Sequence, residues 1–341
     1  REAQALREVA DAGQLAAAWA GPSLARASTA QRVTLAVPGP GNLLFLPLSL
    51  APRIGADRAE GLALDILHVG GGPQALRSML ELNCDFAAAG LSALALQKHN
   101  GKPVRCIVGM TRVPAYTLLV RSELRGQVRQ IADLRGRVVG VKGHVPGGRS
   151  TSQLFAEYLL ALAGVAPDQV NYVSAGQSYD SQHAALASRA VDAVVADEPF
   201  ATRLAQQQVA YVLADYHDPE TTRRLMGGLF LNAVLGTRED VISQRPELVG
   251  RVVRAVQRSL GWIAGHTAAQ MLEALAPPPE ERATLLEVLR RRKAIYAPDG
   301  RFVEEQLAAV QRFLYATEPV MKAQGFRLDS VIDARWAGRV S

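Results

Sequence analysis

The sequence predicts an α/β protein with two lobes, each formed by a largely parallel sheet and the helices that cover it. The chain has 341 residues, which is more than one small core usually accommodates. From Gln31 onward, short apolar segments typical of strands alternate with segments of helical periodicity. No low-complexity linker separates the two halves, so we expect the lobes to be joined by crossing strands that act as a hinge.

The first group of alternating elements occupies residues 31–109. Apolar runs that end in glycine-rich turns predict its strands, and periodic apolar residues such as Leu76, Met79 and Leu80 predict its helices. We expect strands at 32–37, 62–69, 85–89 and 103–109, and helices at 43–50, 74–82 and 92–98.

The second group begins with a candidate crossing strand and repeats the same alternation. We expect strands at 116–120, 138–141, 170–173 and 193–196, and helices at 151–163, 179–189 and 199–207. An apolar run at 229–235 is a candidate for the strand that crosses back. After Arg238 the pattern is helical throughout, with segments at 239–265 (broken near Pro246), 267–275, 280–294 and 303–323.

Composition indicates an ordinary globular protein rather than a nucleic-acid or membrane protein. Hydrophobic residues make up 48% and charged residues 21%, and the formal charge is a mild +6. After residue 30 there is no apolar run of 18 or more, so no transmembrane helix is expected there. Basic residues are scattered and lack the interleaved aromatics of a base-stacking surface, and we expect the densest cluster, 290–293, to be a solvated helix face.

Cysteine usage predicts neither a metal site nor a disulfide. Cys84 and Cys106 lack metal-ligand spacing, and each lies at or beside a predicted strand, so buried free thiols are expected. No metal or cofactor is predicted.

The N-terminal segment, residues 1–30, has two interpretations. Residues 15–27 end in Ala25-Arg26-Ala27, the small-x-small form that signal peptidase recognises, which favours an exported protein. Against this, Glu2, Glu8 and Asp11 are unlike a basic signal start, and an amphipathic helix is the alternative. We predict a helical or signal-derived extension here.

The stretch 143–150 resembles a phosphate-binding loop in which Arg149 replaces the lysine. An apolar strand and two acids, Asp197 and Glu198, follow as in a magnesium site. The missing lysine and the full α/β unit that precedes the loop argue against a nucleotide hydrolase. The hydroxyls of Ser150, Thr151 and Ser152 at a helix start still favour an anion or a carbonyl oxygen, or Ser150 or Thr151 simply caps the helix.

The wider stretch from Asp133 to Pro199 resembles the substrate-binding proteins of ABC importers, specifically the nitrate, sulfonate, taurine and thiamine-precursor group. The motifs that carry the resemblance are 133–141, 160–165, 168–170, 185–193 and Glu198-Pro199, and the order of elements agrees over about 31–325. The resemblance implies two Rossmann-like lobes of the type II periplasmic-binding-protein fold, joined by crossing strands, with a helical C-terminal block. Lobe I would comprise 31–117 plus 232–341, and lobe II 118–231.

In such a fold the ligand lies between the lobes, at the C-terminal ends of the strands. The first lobe then offers Gly39, Pro40, Gly41, Asn42, Gly71, Gly72, Gly90, Leu91, Ser92, Thr111 and Arg112. The second offers His144, Gly148, Arg149, Ser150, Thr151, Gly176, Gln177, Asp197 and Glu198. The basic members suit a carboxylate, sulfonate or phosphate, whereas the two acids suit an amine or pair with the arginines.

The resemblance implies a monomeric, periplasmic solute-binding component that delivers a small anionic or zwitterionic organic ligand to a permease and its ATPase. Contact with the membrane would be through the permease or the N-terminal segment. One alternative is a ligand-sensing module on the same fold. Another is an enzyme like the relatives that make a thiamine pyrimidine with pyridoxal phosphate, but this chain lacks their cysteine-rich segment and other catalytic motifs, so no enzyme is expected.

Overall fold

The computed structural model describes residues 30–142 and 149–341, and within them two five-stranded sheets form the body of the molecule. The first sheet has the order β2-β1-β3-β10-β4 and the second the order β7-β6-β8-β5-β9. The strands are β1 (Gln31–Pro38), β2 (Leu62–Val69), β3 (Phe86–Gly90), β4 (Val104–Gly109), β5 (Thr117–Arg121), β6 (Val138–Val141), β7 (Asn171–Ser174), β8 (Ala193–Ala196), β9 (Ala210–Asp215) and β10 (Ala233–Arg238).

Helices connect the strands and form most of the C-terminal part. They are α1 (Leu46–Leu50), α2 (Gly72–Leu80), α3 (Leu91–His99), α4 (Thr151–Leu162), α5 (Tyr179–Ala187), α6 (Phe200–Gln206), α7 (Pro219–Met226), α8 (Glu239–Gln244), α9 (Pro246–Gly265), α10 (Ala268–Leu275), α11 (Pro279–Arg292), α12 (Glu304–Thr317) and α13 (Pro319–Ala323). None of these helices is long and apolar enough to cross a membrane.

Both sheets are built by the same rule. In each, parallel strands are followed by an antiparallel strand that the chain contributes as it crosses from one sheet to the other: β10 pairs antiparallel with β3 and β4, and β5 pairs antiparallel with β8 and β9. The predicted two-sheet α/β fold is confirmed. The exact lobe boundaries stay a prediction.

The two crossing segments are hydrogen-bonded to each other where they pass between the sheets. The Ala115 N–H donates to the Tyr216 carbonyl at 3.1 Å, and the Tyr216 N–H donates to the Tyr116 carbonyl at 2.9 Å. Tyr116, Phe155 and Tyr216 pack around this point with ring centroids 5.1–5.5 Å apart. The connection between the sheets is therefore short and well packed, unlike a flexible linker.

Burial follows the hydrophobic pattern that predicted the strands. The central strands β3, β8 and β10 are buried along their whole length, as expected for strands covered by helices on both faces. Along α9, one face carries Leu248, Val252, Val256 and Leu260 into the core, which matches a helix that covers one side of a sheet. Cys84 and Cys106 are buried free thiols, as expected.

Several details differ from the sequence predictions. Strand β9 and helix α7 were not expected, and the returning strand begins only at Ala233 rather than at residue 229. The long C-terminal helix divides into α12 and α13 at Glu318, because Pro319 cannot donate the hydrogen bond that would continue the first helix. A short parallel pair, β11 (Phe302–Val303) and β12 (Arg339–Val340), also interrupts the helical block.

Candidate functional site

A small cavity of about 30 Å³ lies where parallel strands of both sheets end and the helices after them begin. From the first sheet it is reached by the segments that follow β1 and β3, and from the second by the segment that follows β6. Its lining includes Pro38, Asn42, Gly72, Gly90, Tyr116, Lys142, Ser150, Thr151, Ser152 and Gln177. This is the position that the strand-end rule for open α/β sheets predicts for a ligand.

A buried ion pair forms the centre of this site. Lys142 directly follows β6 and Asp197 directly follows β8, and their side chains are 8% and 1% exposed. The Lys142 ammonium donates to the Asp197 carboxylate, which also accepts from the amide of Asn42 on the first sheet. The ammonium lies 4.9 Å from the centre of the Tyr116 ring. The charge pair therefore lies at the edge of the second sheet, and the Asn42–Asp197 hydrogen bond connects it to the segment that follows β1 of the first sheet.

Burial lowers the pKa of Lys142 to about 7, because the charged ammonium loses its hydration in the closed cleft. The Asp197 carboxylate acts in the opposite direction, since it stabilises the ammonium. The protonation of Lys142 is therefore sensitive to any charged group that enters the site.

Three hydroxyls stand at the start of α4, beside Lys142. The Ser150 side chain caps the helix by accepting from the Gln153 N–H at 3.3 Å, and it lies 2.8 Å from the Ser152 hydroxyl. Ser152 accepts from the Lys142 N–H at 3.2 Å. Thr151 accepts from the Ala93 N–H of α3 at 3.3 Å, so it caps a helix of the opposite sheet.

Three helix N-termini converge on the cavity. Helices α2, α3 and α4 begin at Gly72, Leu91 and Thr151, next to or within the cavity lining. The first turn of each helix brings the positive end of the helix dipole to the cavity, which favours negative charge, although Ser150 and Thr151 already accept from one N–H each in α4 and α3. These partial positive charges add to that of Lys142, whose counter-charge at the site is Asp197.

Several buried polar atoms near these strand ends lack a partner within the described residues. They are the Ser92 hydroxyl, the Asp197 Oδ1 and the Asn232 Oδ1. Buried polar atoms in folded proteins are nearly always hydrogen-bonded, so these three represent unused capacity to bind a polar group.

A larger cavity of about 450 Å³ adjoins the small one and shares Asn42 with it. Pro40, Gly41 and the segment after α10 form one wall, and Tyr179 with Phe200 from the second sheet's side forms the other. The guanidinium of Arg203 lies 3.8 Å from the Tyr179 ring centre. The volume of this larger cavity is in the range of small-molecule sites.

Polar contacts on both flanks hold the two halves together. Arg292 of α11 bonds to Glu198 at 3.1 Å and to Asp215 at 2.6 Å. Arg149 bonds to Glu157 at 2.7 Å and also to Glu318 of the C-terminal block. Arg149 and Asp197 therefore have separate partners, which answers the question of whether they pair with each other.

The structure brings together about half of the residues that the sequence proposed. Those at the two cavities are Pro40, Gly41, Asn42, Gly72, Gly90, Ser150, Thr151 and Gln177, with Asp197 bonded to Lys142 and Gly39 packed against Gln177. Ser92 is buried beside them, and Glu198 and Arg149 serve the flanking contacts. Five of the predicted residues line neither cavity: Gly71, Leu91, Thr111, Arg112 and Gly176. His144 and Gly148 lie outside the described residues.

Sequence reasoning missed Lys142, and it noted Ser152 at the helix start without including it in the candidate site. A lysine that directly follows an apolar parallel strand is the available signal for the first, because strand ends of this fold class face the ligand site. Within residues 30–142 and 149–341, no group of three His, Cys, Asp or Glu side chains could hold a metal ion.

A protein-family model matches the sequence of this chain, and several solved structures match its fold. The family model described as NMT1/THI5 like matches residues 45–269. No curated protein sequence matches the chain. A solved structure from Bordetella bronchiseptica RB50 is 22% identical with a TM-score of 0.82, and the match covers 91% of this chain and 96% of that one.

Two further solved structures share the fold but have different described roles. The alkanesulfonate-binding protein SsuA from Xanthomonas axonopodis pv. citri, bound to MOPS, is 18% identical with a TM-score of 0.69, covering 91% of this chain and 98% of that one. The desulfurization enzyme DSZB is 19% identical with a TM-score of 0.58, covering 90% and 97%. At these identities the likeness shows the fold alone.

Proposed function

Because this chain belongs to the NMT1/THI5-like family, we propose that it is the solute-binding component of an ABC importer. It captures a small anionic or zwitterionic organic ligand in the cleft between the two sheets. The observation that carries this proposal is the buried Lys142 at the meeting point of three helix N-termini. Such a constellation stabilises a carboxylate, sulfonate or similar anion.

The ligand class follows from the two charges in the site. Lys142 and the helix N-termini attract an anionic group, and Asp197 with its unpartnered Oδ1 attracts an amine or another donor. A ligand that carries both groups replaces the existing ion pair with two ligand contacts. The 450 Å³ cavity with Tyr179 and Phe200 accommodates the remaining, less polar part.

Ligand entry requires the two halves to separate. The cavity at the strand ends has room for about one water molecule, so an organic anion reaches Lys142 only if the sheets move apart. The paired crossing segments at Ala115, Tyr116 and Tyr216 are the natural hinge. Closure around the ligand then restores the contacts between the halves, and the affinity depends on the stability of the closed state.

Delivery to a permease and its ATPase, a periplasmic location and a monomeric state complete the proposal. The SsuA structure supports it, since that protein binds an alkanesulfonate on the same fold. A sensing module would bind the same ligand in the same cleft but would act on a different partner. A neighbouring permease gene or a neighbouring kinase gene distinguishes these two roles.

An enzyme is the second candidate, and a specific observation favours it. Lys142 is a buried amine whose pKa burial lowers to about 7, which is the property of a proton-accepting or nucleophilic lysine. The DSZB structure adds an enzyme with this fold. Conversion of the bound compound would replace the transport proposal with this one.

The decisive experiment identifies the ligand and then asks whether it is changed. Compounds released from the purified protein are identified by mass spectrometry, and sulfonates, taurine, nitrate and pyrimidine precursors are tested by thermal shift. We expect a stabilising anion or zwitterion that is recovered unchanged; a hundredfold excess over the dissociation constant stabilises the fold by about 2.7 kcal/mol. Recovery of a reaction product, or stabilisation by neutral compounds alone, would contradict the proposal.

A further inference from the structure

A further pocket lies beside the first sheet and shares no lining residue with the two cavities of the cleft. It is a cavity of about 420 Å³ between the end of α9, the end of α11 and the segment that follows β4. Arg112, Arg290, Arg291 and Lys293 bring four cationic side chains to it, and Leu260 and Ile263 form an apolar floor. No aspartate or glutamate is among the residues that line this cavity.

The cations of this basic pocket are largely without acidic partners in the described chain. The Arg112 Nε–H donates to the Ala294 carbonyl at 2.8 Å. The terminal N–H groups of Arg112 have no partner among the described residues. Among the described residues, Lys293 donates only to the carbonyls of Ala264 and His266, at 2.8 and 2.6 Å. Arg290 has no bonded partner in the described residues. Only Arg291 has an acid, Glu287, at 3.2 Å.

Backbone hydrogen bonds fix the wall of the basic pocket. The Arg112 N–H donates to the Ile295 carbonyl at 2.9 Å, and the Ala297 N–H donates to the Met110 carbonyl at 2.9 Å, so the two segments run as a short antiparallel pair. The Phe230 N–H donates to the Arg112 carbonyl at 3.0 Å. The position of Arg112 is therefore set before anything binds, which lowers the entropic cost of binding.

We propose that this basic pocket binds a small organic anion with an apolar body, independently of the interlobe cleft. Its free guanidinium N–H groups suit a carboxylate or sulfonate, since arginine presents paired donors that match two oxygens. Leu260, Ile263 and the buried wall at Tyr296 suit a ring or a branched hydrocarbon. A cavity of about 420 Å³ is large enough for such a molecule.

The test uses 4-iodobenzoate as the probe and 4-iodobenzyl alcohol as its neutral analogue. Anomalous scattering from crystals soaked in 4-iodobenzoate is expected to place iodine in the basic pocket, and calorimetry is expected to show that the neutral analogue binds at least tenfold more weakly. Iodine found only elsewhere, equal binding of the two probes, or density without measurable binding in solution would each overturn the proposal.

Variants assign the binding to the named cations. R112Q combined with R290Q is expected to weaken 4-iodobenzoate binding at least tenfold, whereas R282Q, which removes a charge from the same helix outside the pocket, leaves it unchanged. The single variant R290Q changes an exposed side chain that has no bonded partner in the described part of the chain, and it keeps the test valid if the double variant folds poorly. K142M is expected to leave this binding intact, so failure of the cleft function and failure of this site are distinguishable. Unchanged binding in both R290Q and the double variant would remove the assignment.

Discussion

The side chain of Thr151 occupies the space that a Cβ atom on Gly90 would need. A Cβ at Gly90 would lie 2.0 Å from the Thr151 Oγ1 and 2.5 Å from its Cβ. The absence of a side chain at Gly90 lets Thr151, from the second sheet, reach the first turn of α3 on the first sheet and accept from the Ala93 N–H. The fit of the two halves therefore depends on this glycine although its backbone angles are ordinary.

We expect Gly90→Ala to hold the cleft partly open. The added methyl group collides with Thr151, so the closed state should lose about 1–3 kcal/mol, typical of overpacking, and ligand affinity should fall about tenfold or more. Calorimetry measures the affinity and small-angle scattering measures the compactness. Gly126→Ala is the control, since no atom lies near a Cβ there, and Thr151→Gly should restore closure to the Gly90→Ala protein. Wild-type affinity in Gly90→Ala would contradict the closure model.

We expect variants of Lys142 and of Asp197 to affect two kinds of ligand differently. Lys142→Met should weaken the binding of anionic and zwitterionic ligands alike, by about 100-fold, because the ligand loses a buried charge partner. Asp197→Asn should weaken the binding only of a ligand that carries an amine. A simple anion should bind as well or better, because the Asp197 carboxylate no longer competes with it for Lys142. Calorimetry with the identified ligand and a des-amino analogue checks this. Lys102→Met, at an exposed lysine, is the control.

Anion binding and stability should change in opposite directions with pH. Burial lowers the folded-state pKa of Lys142 to about 7, from an ordinary value of 10.5. An anion needs the protonated lysine, so its affinity should fall by up to about tenfold per pH unit above 7. Between pH 7 and 10.5 the unfolded chain holds more protons than the folded one, so the lysine's contribution to the free energy of unfolding rises over that window. Calorimetry and urea unfolding at pH 6–9 measure both trends.

Lys142→Met is expected to flatten both profiles. If the variant kept the wild-type pH dependence of anion affinity, another group would be responsible for it.

Removal of Arg292 should loosen the flank of the cleft. Arg292→Met takes away the cation that Glu198 and Asp215 share, and Glu198 is only 2% exposed, so we expect a loss of about 1–3 kcal/mol in the free energy of unfolding. Urea unfolding measures this loss. Arg291→Met, at a neighbour whose bonds are to Glu287 and to the Thr202 hydroxyl, is the control and should cost clearly less.

The same variant has a signature in acid. Burial alone would raise the pKa of Asp215, but the hydrogen bonds and charges of His217 and Arg292 hold it well below its usual value. Such a carboxyl stabilises the fold above its unfolded pKa, and that contribution is lost as the pH falls towards the folded pKa. Arg292→Met should therefore lose less stability than the wild type between pH 5 and 2. Equal losses would show that Asp215 owes little to Arg292.

Local pattern was sufficient for the strongly apolar elements. The strands β3 and β8 read as continuous apolar runs because both faces are buried, whereas β10 is apolar only in its first part and ends in Thr237 and Arg238. Strand β9 escaped notice because only its first two residues are buried, and three glutamines precede it, as is typical of a surface segment. Its strand conformation comes from pairing with β5 across the sheet rather than from its own sequence.

The site was predictable as a place and less so as a set of side chains. Strand ends with glycines and hydroxyls identified Gly90 and Thr151, because that chemistry is local. Lys142 could not be recognised from its own neighbourhood, since its burial depends on Asp197, 55 residues away, and on the Asn42–Asp197 contact that spans 155 residues. The sequence predicts Arg149 at the ligand, but its guanidinium bonds to Glu318, which is 169 residues further along the chain. Long-range pairings of this kind leave no periodic trace in one sequence.

The strand order has a consequence for the sequence of events during folding. All five strands of the second sheet lie between Thr117 and Asp215, so this sheet is complete in one continuous stretch of chain. The first sheet has a gap between β3 and β4 until Ala233–Arg238 arrives to fill it. During synthesis from the N-terminus, the half made first must therefore wait for the half made second, and until then the edges of β3 and β4 remain open to pairing with other chains.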